Sequence, residues 1–171
     1  MLSRCAKREY NGYSIPVPAI EDRIVIAALQ RMYRHYYIRL TDIVNIFGVL
    51  KNKLVDFERL EAIAESSSVW PGVATLVAVA LQHGIRYGGN PVTLPDSVTK
   101  AARFSSTETY LDRDFVRVPL MPEATDLYLH QLAGNGRHYN LRALARLSLQ
   151  PLLATAAFVS FRLTGNDKGV W

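Results

Sequence analysis

The chain has 171 residues, of which 49% are hydrophobic, and its 20 Lys+Arg against 15 Asp+Glu give a formal net charge of +5. This length predicts one domain with a sizeable core, and this hydrophobic fraction excludes a disordered chain. The basic excess, mostly arginine, permits an anionic partner without requiring one. The sole cysteine, Cys5, excludes an internal disulfide and a thiolate zinc cluster, and the spacing of the four histidines predicts no metal site.

The hydropathy of the chain argues against a membrane location. Residues Met1 to Tyr13 are polar and basic and lack the apolar stretch of a signal peptide. The most apolar stretch, Leu147–Phe161, is about 15 residues long, whereas a membrane-spanning helix needs about 20. We therefore expect a cytoplasmic protein that makes no membrane contact.

Residues 1–18 are predicted to form an irregular or extended lead-in, with a short edge strand or extended segment at Gly12–Pro18 because proline is tolerated at sheet edges. A helix is predicted to begin after Pro18, since the carboxylates of Glu21 and Asp22 favour a helix N-terminus. Apolar residues then recur every three or four positions from Val25 to Phe47. This period is typical of an amphipathic helix, and the sequence leaves open whether it is one helix or two.

The later part of the chain is also predicted to be mainly helical. Helices are predicted over Phe57–Ser66, with Asp56 as N-cap, and over Val73–Tyr87, which is apolar and therefore central. A short helix capped by Asp96 or Ser97 follows, and then a helix over 123–133 that ends at Gly134. The last predicted helix covers Tyr139–Leu163 and bends at Pro151. Residues 107–120 are predicted to form a helical turn followed by a strand-like tail. Because strand signals are few, the predicted fold is mainly α: a single-domain helical bundle of about six to eight helices over 19–163, with little or no sheet and a tail at 164–171.

Four polar residues within the first amphipathic stretch form the main candidate site. In a continuous helix, Arg31, His35, Arg39 and Asp42 would share one polar stripe beside the apolar one. Arg39 and Asp42 lie three residues apart, so the main interpretation is an ion pair between them inside a helical bundle. The alternatives are a surface that faces a ligand or nucleic acid, and a catalytic role, for which the spacing supplies no acid–base partner.

Two other motifs permit a site of lower specificity. In Leu132–Asn140, two glycines precede Arg137 and His138, and backbone amides there are candidates for phosphate binding; the alternative is a helix cap and turn. Asp112 and Asp114 are spaced as a Mg²⁺-binding pair on a strand, with a solvated turn as the alternative. Neither motif is specific enough to predict a metal ion or a catalytic residue.

The segment from Val17 to Ser66 resembles the helical region that follows the catalytic domain in bacterial and archaeal nucleotidyltransferase-like proteins of the minimal and abortive-infection-toxin type. The resemblance is carried by Val17-Pro18, Glu21-Asp22, His35, the run Arg39–Ile43 and Val55-Asp56-Phe57. It implies a helical region that packs on a catalytic domain and frames its substrate cleft. The Gly-Ser turn and paired strand carboxylates of the family have no counterpart here, so no catalytic residue is assigned.

The expected function is accordingly a helical domain of a nucleotidyltransferase-like protein that is not active alone. The residues expected to face a nucleotide or ligand are Arg31, His35, Arg39, Asp42, Arg137 and His138. The expected partners are a catalytic nucleotidyltransferase domain or further copies of the chain, with a nucleotide or nucleic acid as ligand. No cofactor is expected, and Mg²⁺ only where a catalytic domain is supplied elsewhere. The alternatives are a helical protein–protein interaction module and a weak nucleic-acid binder.

Overall fold

The computed structural model describes residues 5–112, 115–137, 141–149 and 151, and it is mainly helical, as predicted. Two small sheets accompany the helices. In chain order the elements are β1 (Ala6–Tyr10), β2 (Tyr13–Val17), α1 (Ile20–Gln30), a π-helical turn (Arg31–His35), β3 (Tyr37–Arg39), α2 (Leu40–Lys51), α3 (Phe57–Glu65), α4 (Trp70–Arg86), α5 (Asp96–Ala101), β4 (Tyr110–Asp112), β5 (Phe115–Arg117), a kinked turn (Leu120–Ala124), α6 (Thr125–Arg137) and α7 (141–149).

Helix α4 is the central element, as its almost entirely apolar sequence predicts. It contacts α1, α2, α3, α5 and α6, and its residues from Trp70 to Leu81 are all buried. The Tyr33 hydroxyl fixes its first turn, since it accepts a hydrogen bond from the Gly72 amide (3.1 Å) and donates one to the Val69 carbonyl (3.3 Å). No helix in the described part of the chain is both long and apolar enough to cross a membrane.

The N-terminal residues form a hairpin rather than the predicted irregular segment. β1 pairs with β2 in antiparallel register, which confirms a strand within Gly12–Pro18 and corrects the prediction for Ala6–Tyr10. The turn is Asn11-Gly12, and both residues have positive φ, 49° and 80°. This left-handed pair matches the right-handed twist of the two strands, which explains why the hairpin forms here.

The amphipathic stretch from Val25 to Phe47 is two helices. After α1, the chain passes through the π-helical turn and reverses at Tyr36, whose φ is +55°. The single polar stripe of a continuous helix is therefore not formed. Instead, the reversal returns α2 alongside α1, with β3 between them.

β3, β5 and β4 form the second sheet, in that order and antiparallel throughout. One of its faces carries Ile38 and Val116, which are buried in the hydrophobic core. Tyr110–Asp112 is a strand where a helical turn was predicted, whereas the strand-like tail is confirmed at Phe115–Arg117. The pairing of β3 with β5 joins distant parts of the chain, so local patterns did not reveal it.

Several helix ends test the predicted caps. Asp56 caps α3 by accepting a hydrogen bond from the Arg59 amide (3.1 Å), as predicted. α6 does not end at Gly134 but continues to Arg137. Gly134 instead lets α6 approach Ser68 closely, because a Cβ at this position would lie 2.5 Å from the Ser68 side chain. Of the predicted last helix, 139–163, only residues 141–149 and 151 are described, and the predicted tail lies outside the described residues.

Candidate functional site

An ion pair between Arg31 and Asp42 lies at the base of the candidate site. The Arg31 Nε donates to Asp42 Oδ2 at 2.6 Å, and the two side chains are only 8% and 18% exposed. The predicted pairing of Asp42 with Arg39 is wrong at the level of side chains. Arg39 contributes its backbone N–H to the same Asp42 oxygen (3.1 Å), and its side chain is exposed.

The local chain path explains this geometry. The reversal at Tyr36 places the first turn of α2 beside the end of α1. Asp42 is the third residue of α2, where a carboxylate reaches back to the amide of the residue that precedes the helix. The same carboxylate therefore caps α2 and neutralises an almost buried guanidinium from the preceding turn.

Above the ion pair lies a layer of aromatic rings and arginines. The guanidinium carbon of Arg31 lies 5.5 Å from the Tyr37 ring centroid, and that of Arg117 lies 5.4 Å from it. Arg117 also lies 5.7 Å from the Phe115 ring, which packs on the Tyr37 ring at 4.7 Å. His35 contacts the same tyrosine at 5.5 Å between ring centroids. Cation–π contacts of this kind hold the Arg117 guanidinium close to two rings.

The register of the second sheet shows which residues share its outer face. Tyr37, Arg117 and Tyr110 are paired in one row, and Arg39, Phe115 and Asp112 in a row two residues away. Alternation along each strand places both rows on the face opposite to Ile38 and Val116. We call this surface the aromatic–arginine face. Its aromatic and basic members are Tyr37, Arg39, Tyr110, Phe115 and Arg117, and the register places Asp112 at its β4 edge.

The aromatic–arginine face is accessible and carries two arginines against one aspartate. Tyr110 is 57% exposed, Arg39 is exposed, and the side chains of Tyr37, Phe115 and Arg117 are half-buried. Arg34, in the turn that precedes β3, is also exposed. Neither Arg34 nor Arg39 has a salt bridge recorded with another described residue. These two guanidiniums are the candidates for contact with an anionic group.

The structure does not bring all of the predicted site residues together. Arg31, His35, Arg39 and Asp42 do cluster, although in another arrangement than the predicted stripe. Arg137 lies at the carboxyl end of α6, where the helix dipole disfavours an anion, and His138 lies outside the described residues. The amides of Gly134 and Gly136 belong to α6, so they are not presented as a phosphate loop.

Sequence reasoning missed Tyr37, Tyr110, Phe115 and Arg117. The signal was limited to the two-residue spacing of Phe115 and Arg117, which places them on one face of a strand. Tyr110 lies five residues before Phe115 and reaches that face only through the pairing of β4 with β5. The sequence pattern indicated Asp112 and Asp114 as a candidate Mg²⁺-binding pair instead, and Asp114 lies outside the described residues. Within the described ranges, no group of three or more His, Cys, Asp and Glu side chains is placed to hold a metal ion.

A second polar cluster lies in the loop after α5. The Glu108 carboxylate accepts hydrogen bonds from the Ser105 hydroxyl (2.5 Å), the Thr107 hydroxyl (2.7 Å) and the Ser105 amide (3.1 Å). These bonds favour the charged form and lower the pKa of Glu108 to about 2. Both partners, Ser105 and Thr107, lie within three residues of Glu108 in one loop, so the cluster is a local turn that orders the chain before β4.

Comparisons with protein-family models, with curated proteins and with solved structures gave no match. The function of the site is therefore argued from its own geometry and from the sequence resemblance.

Proposed function

We propose that this chain is the helical accessory domain of a nucleotidyltransferase-like protein, and that its aromatic–arginine face contacts the nucleotide. The observation that carries the proposal is the combination, on one accessible sheet face, of closely packed, tilted aromatic rings with arginine side chains, of which Arg39 is exposed. Rings and guanidinium planes suit a nucleobase, and arginine suits phosphate oxygens because its donors match their geometry. The link to nucleotidyl transfer rests on the resemblance of residues 17–66.

Each residue has a distinct task in this proposal. The Arg31–Asp42 pair supports the face from below and fixes the start of α2. Arg117, held on the rings of Tyr37 and Phe115, presents a preoriented guanidinium plane. Arg39 supplies an exposed charge for a phosphate. The one carboxylate among these groups, Asp42, is held by Arg31 and by the Arg39 amide, so the proposal assigns the transfer chemistry to a catalytic domain supplied elsewhere, together with its Mg²⁺.

Thermal unfolding with and without each nucleoside triphosphate tests this proposal. A ligand that binds only the folded chain at a hundredfold excess over Kd stabilises it by about 2.7 kcal/mol. For a chain of 171 residues, this corresponds to a Tm increase of about 5–10 °C. Arg39→Met should reduce the increase, whereas Arg59→Met, which removes an exposed arginine on α3, should leave it unchanged.

A parallel assay with labelled triphosphate should show no nucleotidyl transfer by the chain alone. Absence of stabilisation by all four triphosphates would refute the proposed contact. An increase that survives intact in Arg39→Met would place the nucleotide elsewhere, and turnover by the isolated chain would overturn the accessory role.

The N-terminal hairpin favours a second candidate function, a protein–protein interaction module that associates with a further copy of the chain. Its residues are almost all exposed, including Tyr10 (69%), Tyr13 (74%) and Ile15 (45%). A two-stranded hairpin is only marginally stable in water by itself, so a partner on its apolar side would stabilise it. Sedimentation velocity should then show a dimer that Tyr13→Ser weakens, and a monomer at all concentrations would exclude this candidate.

A further inference from the structure

The size of the aromatic–arginine face limits what can bind there. It spans three strands of three residues each, which is about 10 Å along the strands and about 10 Å across them. Such a surface accommodates about two nucleotides laid side by side. It is also an outer sheet face rather than a pocket. Two grooves in the described part of the molecule lie between α1 and α2, where Asp42 contributes to the lining, and along α4 and α5.

We propose that the aromatic–arginine face binds single-stranded nucleic acid, with its bases stacked on Tyr110 and Arg117 and its phosphates held by Arg39 and Arg34. This inference deepens the proposed function and rests on it, because it names the polymer as the ligand of the same face. A mononucleotide usually binds in a concave site that covers most of its surface. A flat face offers each nucleotide few contacts, so binding gains strength when neighbouring nucleotides are joined.

The stacking part of the inference rests on two neighbouring side chains in one row. Tyr110 is 57% exposed at the edge of the sheet, so its ring is open to a base. Arg117 lies next to it in register, and its guanidinium is held against the rings of Tyr37 and Phe115. Guanidinium planes and tyrosine rings both stack on unpaired bases, and any base can stack on them because every base has a π-face.

The charge of the face complements a phosphate backbone. Arg39 and Arg34 are exposed and have no recorded salt bridge with the described residues, and the Asp42 carboxylate beside Arg39 is already bonded to Arg31. The register also places Asp112 at the β4 end of the Arg39 row, so one acidic residue offsets part of the charge of the arginines. Each phosphate neutralised on a single strand contributes about −0.7 to the slope of log K against log salt. Two arginine contacts therefore give an expected slope of about −1.4.

Fluorescence anisotropy with labelled single strands of about ten nucleotides, within the usual range of site sizes, provides the test. Over about 50–200 mM salt we expect a slope near −1.4 for the unmodified chain and near −0.7 for Arg39→Met. Tyr110→Ala should weaken binding by at least about fivefold through the lost stack. Tyr87→Ala, which removes an exposed tyrosine at the end of α4, and Arg59→Met are the matched controls and should bind like the unmodified chain.

Two comparisons separate this inference from the proposed function. If triphosphates stabilise the chain but single strands bind no more tightly than a mononucleotide, the polymer is not the ligand and the nucleotide contact stands. If neither ligand binds, both proposals are wrong. A duplex of the same sequence should bind more weakly because its bases are already stacked; equal affinity for the duplex would overturn the stacking of bases on this face.

Discussion

Replacing Asp42 by alanine isolates the interaction beneath the candidate site. The substitution leaves the Arg31 guanidinium, whose side chain is 8% exposed, without a carboxylate. Breaking a buried ion pair by removing one partner costs about 3–5 kcal/mol. Because Asp42 is 18% exposed and water can enter the space it vacates, we expect a loss of about 3 kcal/mol in the free energy of unfolding. This loss corresponds to a Tm decrease of about 6–12 °C for a chain of this length.

The reciprocal substitution should cost less. In Arg31→Met, the Asp42 carboxylate keeps the hydrogen bond from the Arg39 amide and its contact with water, so we expect a loss of about 1–2 kcal/mol. The double variant removes both charges, and its cost should fall below the sum of the single costs by about 1 kcal/mol or more. The difference measures the coupling between the two side chains.

Urea unfolding followed by circular dichroism measures each free energy, provided that the urea dependence stays unchanged among the variants. Arg39→Met is the decisive control, since the sequence alone pairs Asp42 with Arg39. We expect Arg39→Met to change stability by less than about 0.5 kcal/mol, as for an ordinary surface position. A loss from Arg39→Met equal to that from Arg31→Met, with no coupling in the Arg31–Asp42 cycle, would refute this reasoning.

Three further outcomes follow from other contacts. Gly72→Ala would place a Cβ 2.3 Å from the Tyr33 ring and should lower the free energy of unfolding, measured with urea, by about 2–3 kcal/mol. Gly48→Ala is the control: its Cβ would have no atom within 4 Å, and it should raise the free energy of unfolding by about 0.5–1 kcal/mol because alanine favours a helix. Burial raises the pKa of Tyr33, so its neutral phenol stabilises the folded chain below about pH 10, and this contribution is lost as the pH rises further. Tyr33→Phe should therefore make the alkaline decrease in the free energy of unfolding less steep. An unchanged decrease would contradict this assignment. In an NMR titration, the carboxyl of Glu108 should have a midpoint near pH 2, and Ser105→Ala should raise it; a midpoint that does not respond would show that the hydroxyl bond is absent.

Helices with local signals were predictable from the sequence. The start of α3 follows from Asp56, whose carboxylate satisfies an amide only three residues away. The central position of α4 follows from its apolar sequence, which must be buried on every side. Both inferences use information within a few residues, and both are confirmed by the structure.

The hairpin was missed although its signal was present. Asn11-Gly12 is a strong indication of a two-residue hairpin turn, since the residues on either side of it, Ala6–Tyr10 and Tyr13–Val17, can form strands. The polar character of Lys7, Arg8 and Glu9 concealed β1, because both of its faces are exposed and no hydrophobic alternation marks it. A strand that buries nothing leaves little trace in a hydropathy pattern.

The composition of the candidate site could be predicted only in part. Arg31, His35, Arg39 and Asp42 were recognised as a group from their spacing on one imagined helix. Their real contacts depend on the reversal at Tyr36, a non-glycine residue with positive φ, which no local propensity favours. Spacing can identify neighbours along a helix, but once the helix ends, the partner of each charge is decided by how the next element packs.

The outer members of the face were beyond local inference for a further reason. Phe115 and Arg117 reach Tyr37 only through the pairing of β5 with β3, which joins strands separated by most of the helices. Long-range strand pairing is specified by burial on the opposite face, here Ile38 against Val116. The core thus determines which aromatic and basic residues meet on the surface, even though it contributes none of them.

This arrangement separates support from recognition. Arg31 serves the buried ion pair and also lies over the Tyr37 ring, so a change there alters stability and the face together. Arg39 and Tyr110 are exposed, so we expect their replacement to alter what the surface presents to a ligand more than the stability of the fold. A loss of binding at these two positions, with stability unchanged, therefore distinguishes a recognition surface from packing that merely holds the sheet edge together.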